Sequence, residues 1–143
     1  MDETLRRDYL FKEVDLVQSI IERMGNNSFF IKGAAITLVA ASILIEGNLY
    51  HYFVAFLPWL MFWYLDAYFL RVERLYRKLY GWLIANRLVS DSYLLDIDRK
   101  SLEDRFGKTV NSQLKTMFSK TLIVFYGLLL ILIILLIVIS YFV

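Results

Sequence analysis

Residues 121–143 carry no charge and are nearly all branched aliphatic, and no other stretch constrains the fold as tightly. A bilayer core about 30 Å thick is crossed by roughly 20 helical residues. These 23 residues suffice, with room for tilt. Their polar content is confined to Thr121, Tyr126, Ser140 and Tyr141, so the helix is expected to face lipid. With 59% hydrophobic residues among 143, the whole composition belongs with membrane proteins.

Residues 29–70 read as a second membrane element, a helical hairpin. The first arm, 29–45, is almost wholly apolar apart from Lys32 and is slightly short for a span. Glu46-Gly47-Asn48 form the turn, and 49–70 are apolar except for His51, Pro58 and Asp66. Lys32 and Asp66 lie equidistant from Leu49, which puts them at similar depth. A lone charge at depth is costly, so either the two pair and stitch the arms together or both snorkel to the inner interface. Gly33, Thr37, Ala40 and Ala41 make a small-residue face on the first arm. Such a face lets membrane helices approach closely, and in an oligomer it could instead line a pore. Pro58 removes a backbone donor within the second arm, so a mid-helix kink is expected there. Tyr and Trp near the ends of that arm fit interfacial belts.

Charge sets the orientation. Residues 1–28 carry four Lys/Arg against six Asp/Glu, whereas 71–120 carry eleven against six. By the positive-inside rule 71–120 is cytoplasmic, the turn at Glu46 faces outward, and the chain is N-in and C-out. The polar N-terminus has no cleavable signal pattern. The expected fold class is an all-α membrane protein with three transmembrane helices. Its segments are an amphipathic cytoplasmic helix (1–28), a transmembrane hairpin (29–70), a basic helical cytoplasmic segment (71–120) and a third transmembrane helix (121–143). A multi-pass membrane location is expected.

In the first segment Leu10, Val14, Val17, Ile21 and Met24 fall on one helical stripe. Interfacial helices favour Lys and Arg on the polar face, and this one is acidic, so protein packing is expected. Gly25-Asn26-Asn27-Ser28 should end that helix and cap the next. The second arm should continue past Arg71, weaken near Gly81 and end around Ser90-Asp91-Ser92. Residues 93–98 are an irregular link or a short helix. Ser101 with Asp104 is a capping signal for a helix with a weak point at Gly107. Gly107-Lys108-Thr109 ends like a phosphate-binding loop, but Leu102 stands where that loop needs glycine.

Catalysis finds little material. There is no cysteine and one histidine, His51, in the outer half of the hairpin. Asp96 and Asp98 suit capping better than metal binding, so no catalytic residue, cofactor or metal is expected and the chain is read as a non-enzyme. Arg71, Arg74, Arg77 and Lys78, interleaved with Tyr76 and Tyr80, combine phosphate-pairing charge with stacking rings, as single-stranded nucleic-acid sites do. Basic residues beside a span are equally expected from topology and from anionic lipid.

The runs 22–33, 36–41 and 62–80 add a resemblance. They contain Asn27-Ser28-Phe29 followed by Lys32-Gly33, and Leu65-Asp66-Ala67-Tyr68. Over about half its length the chain resembles a family of small bacterial multi-span membrane effectors of antiphage defence, and is similar to the membrane channel effector of the Hailong system. Many members have only the hairpin, so the third span is a departure. The resemblance implies a homo-oligomeric, tetrameric ion channel. Its ligand would be a single-stranded DNA oligonucleotide, an oligodeoxyadenosine, made by a partner nucleotidyltransferase. The competing expectation is a non-conducting membrane scaffold that recruits a cytoplasmic protein.

Overall fold

The computed structural model describes residues 2–44 and 53–142. The turn at Glu46-Gly47-Asn48, and Tyr50, His51 and Tyr52, lie outside the described residues. Within them the regular structure is all helical. In order come α1 (Glu3–Leu44), α2 (Phe56–Asn86), α3 (Arg99–Phe106), a 3-10 turn (Gly107–Thr109), α4 (Gln113–Met117) and α5 (Lys120–Phe142). One helix among the described residues, over Lys120–Ile139, is long and apolar enough to cross a membrane. The apolar part of α1 is described only to Leu44, and that of α2 contains Asp66.

Two boundary expectations are corrected. First, α1 does not break at Gly25-Asn26-Asn27-Ser28; it is one helix of 42 residues. A glycine inside a helix costs only about 1 kcal/mol relative to alanine, and asparagine less. Packing on both sides of this stretch outweighs that. Ser28, expected as a cap, spends its hydroxyl on Asp66 instead. Second, the disruption expected at Pro58 is an interruption of the helix three residues before it. Phe53 and Val54 are helical, Ala55 is a turn, and α2 restarts at Phe56. Pro58 therefore sits in the first turn of α2, where a missing N–H leaves no intrahelical bond unmade.

The α3 cap also differs in detail. Asp98, not Ser101, is the N-cap, its Oδ2 accepting from the backbone N–H groups of Lys100 (3.0 Å) and Ser101 (3.3 Å). Ser101 lies inside the helix and donates its hydroxyl to Asp96. The helix ends at Phe106, and Gly107 opens the 3-10 turn.

Packing divides the chain into two compact units, each fed by α1 and α2. The first comprises Met1–Asn26 and Leu70–Ser112, the second Asn27–Phe69 and Gln113–Val143. In the first unit Val17 of α1, Leu75, Leu79 and Leu83 of α2, and Leu102 of α3 are buried. The residues of α2 recur every four positions, the spacing that keeps one helical face turned to a core. Leu10, Val14, Ile21 and Met24 of the predicted stripe are half-buried around Val17.

In the second unit Ile31, Ala35 and Val39 of α1 are buried, as are Ala67 of α2 and Leu122, Tyr126, Leu129 and Ile133 of α5. Thus α5 buries one stripe and leaves the remainder exposed, Leu128 and Ile131 among it. The sequence could not reveal that stripe because every face of α5 is apolar. Trp59 and Trp63 donate their indole N–H groups to the carbonyls of Tyr126 (2.8 Å) and Met117 (2.9 Å). These bonds satisfy the polar atom that a buried tryptophan carries with it.

Candidate functional site

The basic segment of α2 sorts its residues by helical face. Arg74, Arg77 and Lys78 line a groove of about 500 Å³, with Thr109, Val110 and Asn111 opposite. Arg74 and Lys78 have no ion pair or hydrogen bond among the described residues. Arg77 donates through Nε to Glu73 at 2.8 Å, one helical turn back. Arg77 also borders a second groove of about 380 Å³, shared with Gln18, Ile21, Glu22 and Tyr80.

Arg71 is used differently. Its guanidinium is forked on Glu103, with Nη1 2.9 Å from Oε2 and Nη2 on Oε1, while Nε donates to the Asn111 carbonyl at 3.1 Å. This hydrogen-bonded pairing holds the Glu103 carboxyl below the usual carboxylate range. Arg71 therefore anchors the far wall of the groove to α2. Tyr76, expected as a stacking platform, is corrected: its ring is buried and its hydroxyl donates to the Ile97 carbonyl at 3.0 Å. The apolar face of α2 that faces the core includes position 76, so only Tyr80, half-buried at the second groove, keeps a ring near solvent.

The second unit contains a polar node. Lys32 Nζ lies 2.6 Å from Asp66 Oδ2, with the lysine side chain 27% exposed and the aspartate fully buried. Lys32 also donates to Ser28 Oγ at 2.6 Å, and Ser28 donates to Asp66 Oδ1. Tyr126 donates its hydroxyl toward Asp66 Oδ2 (3.2 Å) and the Phe62 carbonyl (3.1 Å). Asp66 thus accepts from one cation and two hydroxyls, drawn from α1 and α5. A buried carboxylate needs both charge compensation and satisfied lone pairs, and this arrangement supplies both.

Gly33, Thr37, Ala40 and Ala41 are all exposed on the protomer. A Cβ added at Gly33 would meet nothing within 4 Å, and Thr37 returns its hydroxyl to the Gly33 carbonyl at 2.9 Å. The buried stripe of α1 is instead Ile31, Ala35 and Val39.

Two groups that carry structure were missed in the sequence. Arg87 is fully buried; Nε and Nη2 donate to Glu13 at 2.5 and 2.8 Å. Its remaining N–H groups reach the carbonyls of Ser90, Ser92 and Tyr93. Glu13 also accepts from the Leu95 N–H at 2.7 Å. Tyr93 and Leu95 have φ values of 56° and 53°, left-handed geometry that costs a non-glycine residue about 1–2 kcal/mol. The Glu13–Arg87 clamp holds that loop in place. Arg105 stacks against Tyr93, Trp82 and Phe106, with 3.9 Å from its guanidinium carbon to the Tyr93 ring centre. The only sequence signal for Glu13 is an acid beside the apolar stripe; Arg87 looks like any other basic residue.

Among the described residues no group of three His, Cys, Asp or Glu side chains gathers closely enough to hold a metal ion. Compared with protein-family models, with curated proteins and with solved structures, the chain matches none of them.

Proposed function

We propose that the chain is a self-associating, multi-span protein of the bacterial inner membrane, working as an ion channel regulated by a phosphate-bearing ligand. The observation that carries this reading is the groove of Arg74, Arg77 and Lys78, in which two cations have no partner among the described residues. Three convergent cations suit phosphodiester oxygens. The helix that presents them is continuous with the apolar stretch bearing Asp66. A ligand that prefers one arrangement of α2 would therefore bias the membrane segment, provided its affinity differs between the two states.

Three spans, N-in and C-out, would use the apolar part of α1, that of α2, and α5. The exposed Gly33, Thr37, Ala40 and Ala41 would meet neighbouring copies, in a tetramer or another closed ring. The ligand in this reading is a short single-stranded oligodeoxyadenosine supplied by a partner nucleotidyltransferase. The chain itself performs no catalysis. Its strand would be held through phosphates first and through stacking at Tyr80 second, since Tyr76 is buried.

A second reading has its own observation. Asp8, Asp15 and Glu22 recur every seven residues on α1, and all are exposed. Such an acidic stripe suits a basic partner protein, as a non-conducting scaffold would require. Purified protein in planar bilayers, with short deoxyadenosine strands added, separates the two. The channel reading expects conductance that changes with the strand, and binding that weakens steeply with salt. Arg74→Glu with Lys78→Glu should abolish both. Absence of conductance and of salt-sensitive binding would leave the scaffold.

A further inference from the structure

The groove that Arg77 shares with Tyr80 differs in chemistry from the cationic groove beside it. It encloses about 380 Å³ and is lined by Gln18, Ile21 and Glu22 of α1 and by Arg77 and Tyr80 of α2. All five residues belong to the first unit. We propose that this groove is a nucleobase pocket, in which Gln18 and Glu22 read the exocyclic amine of a base stacked on Tyr80. The proposal rests on the oligonucleotide reading of the neighbouring groove and adds the base feature that the chain selects.

The polar groups of the groove choose its occupant. Gln18 and Glu22 stand one helical turn apart, about 6 Å along the axis, and so share a face of α1. Both are exposed, and neither has a hydrogen bond or ion pair among the described residues. A carboxylate only accepts hydrogen bonds, so a group bound at Glu22 must donate, and a phosphate is disfavoured there. A carboxamide offers a donor beside an acceptor, which an amine next to a ring nitrogen completes. Thymine and uracil present one N–H between two carbonyl oxygens, and those oxygens are repelled by Glu22. Ile21 and the half-buried Tyr80 supply apolar and aromatic surface for the flat of the ring. A base carrying an exocyclic amine meets all of these groups at once.

Arg77 joins the two grooves, since it lines both. Its Nε is spent on Glu73 at 2.8 Å, whereas its Nη groups have no partner among the described residues and its side chain is 63% exposed. A phosphate held at Arg77 carries its base into the second groove, while the adjoining phosphates run toward Arg74 and Lys78. Charge then supplies affinity in one groove and hydrogen bonding supplies selectivity in the other.

The test is fluorescence anisotropy of the purified full chain in detergent with two labelled strands of equal length. One is built from deoxyadenosine and the other from its unsubstituted purine analogue, which lacks only the amine. Wild type should bind the deoxyadenosine strand roughly tenfold more tightly, the scale of one good base-edge contact. Gln18→Ala with Glu22→Ala should make the two affinities equal and leave their salt dependence unchanged, because no cation is lost. Arg74→Glu with Lys78→Glu should instead weaken both strands alike. Gln18 and Glu22 are exposed, so their double variant leaves the core intact, and helical circular dichroism verifies this. Equal, salt-sensitive binding of the two strands by wild type, or a preference that survives loss of Gln18 and Glu22, overturns the pocket and leaves the phosphate groove standing. Wild type that binds neither strand overturns both.

Discussion

Among the described residues each unit buries one carboxylate, and they solve the same electrostatic problem with different cations. Glu13, in the unit formed by Met1–Asn26 and Leu70–Ser112, faces Arg87, whose side chain is 0% exposed. Asp66, in the unit formed by Asn27–Phe69 and Gln113–Val143, faces Lys32, which keeps 27% of its side chain exposed. Arginine's planar fork can bind a carboxylate with two N–H groups and still serve carbonyls, so it suits a loop that must be held in an awkward conformation. Lysine's flexible stem places one ammonium against Asp66 while part of the chain reaches outward, and hydroxyls complete the carboxylate's shell. The first site is a clamp on backbone; the second is a tie between helices.

The largest expected effect breaks the clamp. Glu13→Ala leaves a buried guanidinium uncompensated and should cost about 3–5 kcal/mol, measured by denaturant unfolding in detergent. Glu13→Leu with Arg87→Met should recover only part of this, because Ser90, Ser92 and Tyr93 also lose the donor for their carbonyls. Full recovery would show that the pair holds no loop.

At the node the outcome should differ. Lys32→Ala should cost about 2–4 kcal/mol, and Lys32→Met with Asp66→Leu should regain most of it, since no strained backbone depends on that pair. Independent losses that simply add in the double variant would refute the coupling. Tyr126→Phe, which removes one of the hydroxyl donors, should cost about 1 kcal/mol in the same assay.

A smaller effect sharpens the contrast between the two stripes of α1. Ala35→Leu should overpack the protomer by about 1–3 kcal/mol, because Ala35 is fully buried. Gly33→Leu should leave protomer stability nearly unchanged, given the open space at Gly33, yet dissociate the proposed oligomer on size-exclusion chromatography. An oligomer that survives Gly33→Leu would exclude this face as its interface.

The smallest effect concerns the Arg71–Glu103 pair, whose carboxylate side is 43% exposed and therefore screened. The Glu103 carboxyl is held below its ordinary value of 4.5 by the Arg71 hydrogen bond. Its contribution is then fully present above 4.5 and is lost as pH falls through the lower folded value. With solvent screening it should amount to less than about 1 kcal/mol. Glu103→Gln should lower stability at neutral pH by that small amount and flatten the profile below pH 4.5, where the pair contributes least.

How much of this was legible in the sequence depends on whether a pattern was local. Helical character, the apolar run of α5 and the stripe around Val17 follow from composition and period, which need no partner to be read. The proximity of Lys32 and Asp66 was open to a depth argument because a hairpin imposes one distance on both arms. Ser28 and Tyr126 were not, since a hydroxyl has no period and joins a network only when another helix brings a carboxylate to it. The same holds for Glu13 and Arg87, which lie 74 positions apart.

By itself, then, the sequence determined that the chain is helical, that its C-terminal helix is long and apolar enough for a bilayer, and that positive charge concentrates in residues 71–120. Tertiary structure decided which of the basic residues are spent and which remain. Arg71 and Arg87 are taken by Glu103 and Glu13, while Arg74 and Lys78 line a groove. It also decided that α1 runs unbroken through Gly25 and that Tyr76 turns inward. The physical reason is the same in each case: a local preference near 1 kcal/mol yields to burial and to charge pairing, and those depend on partners that only the folded chain assembles.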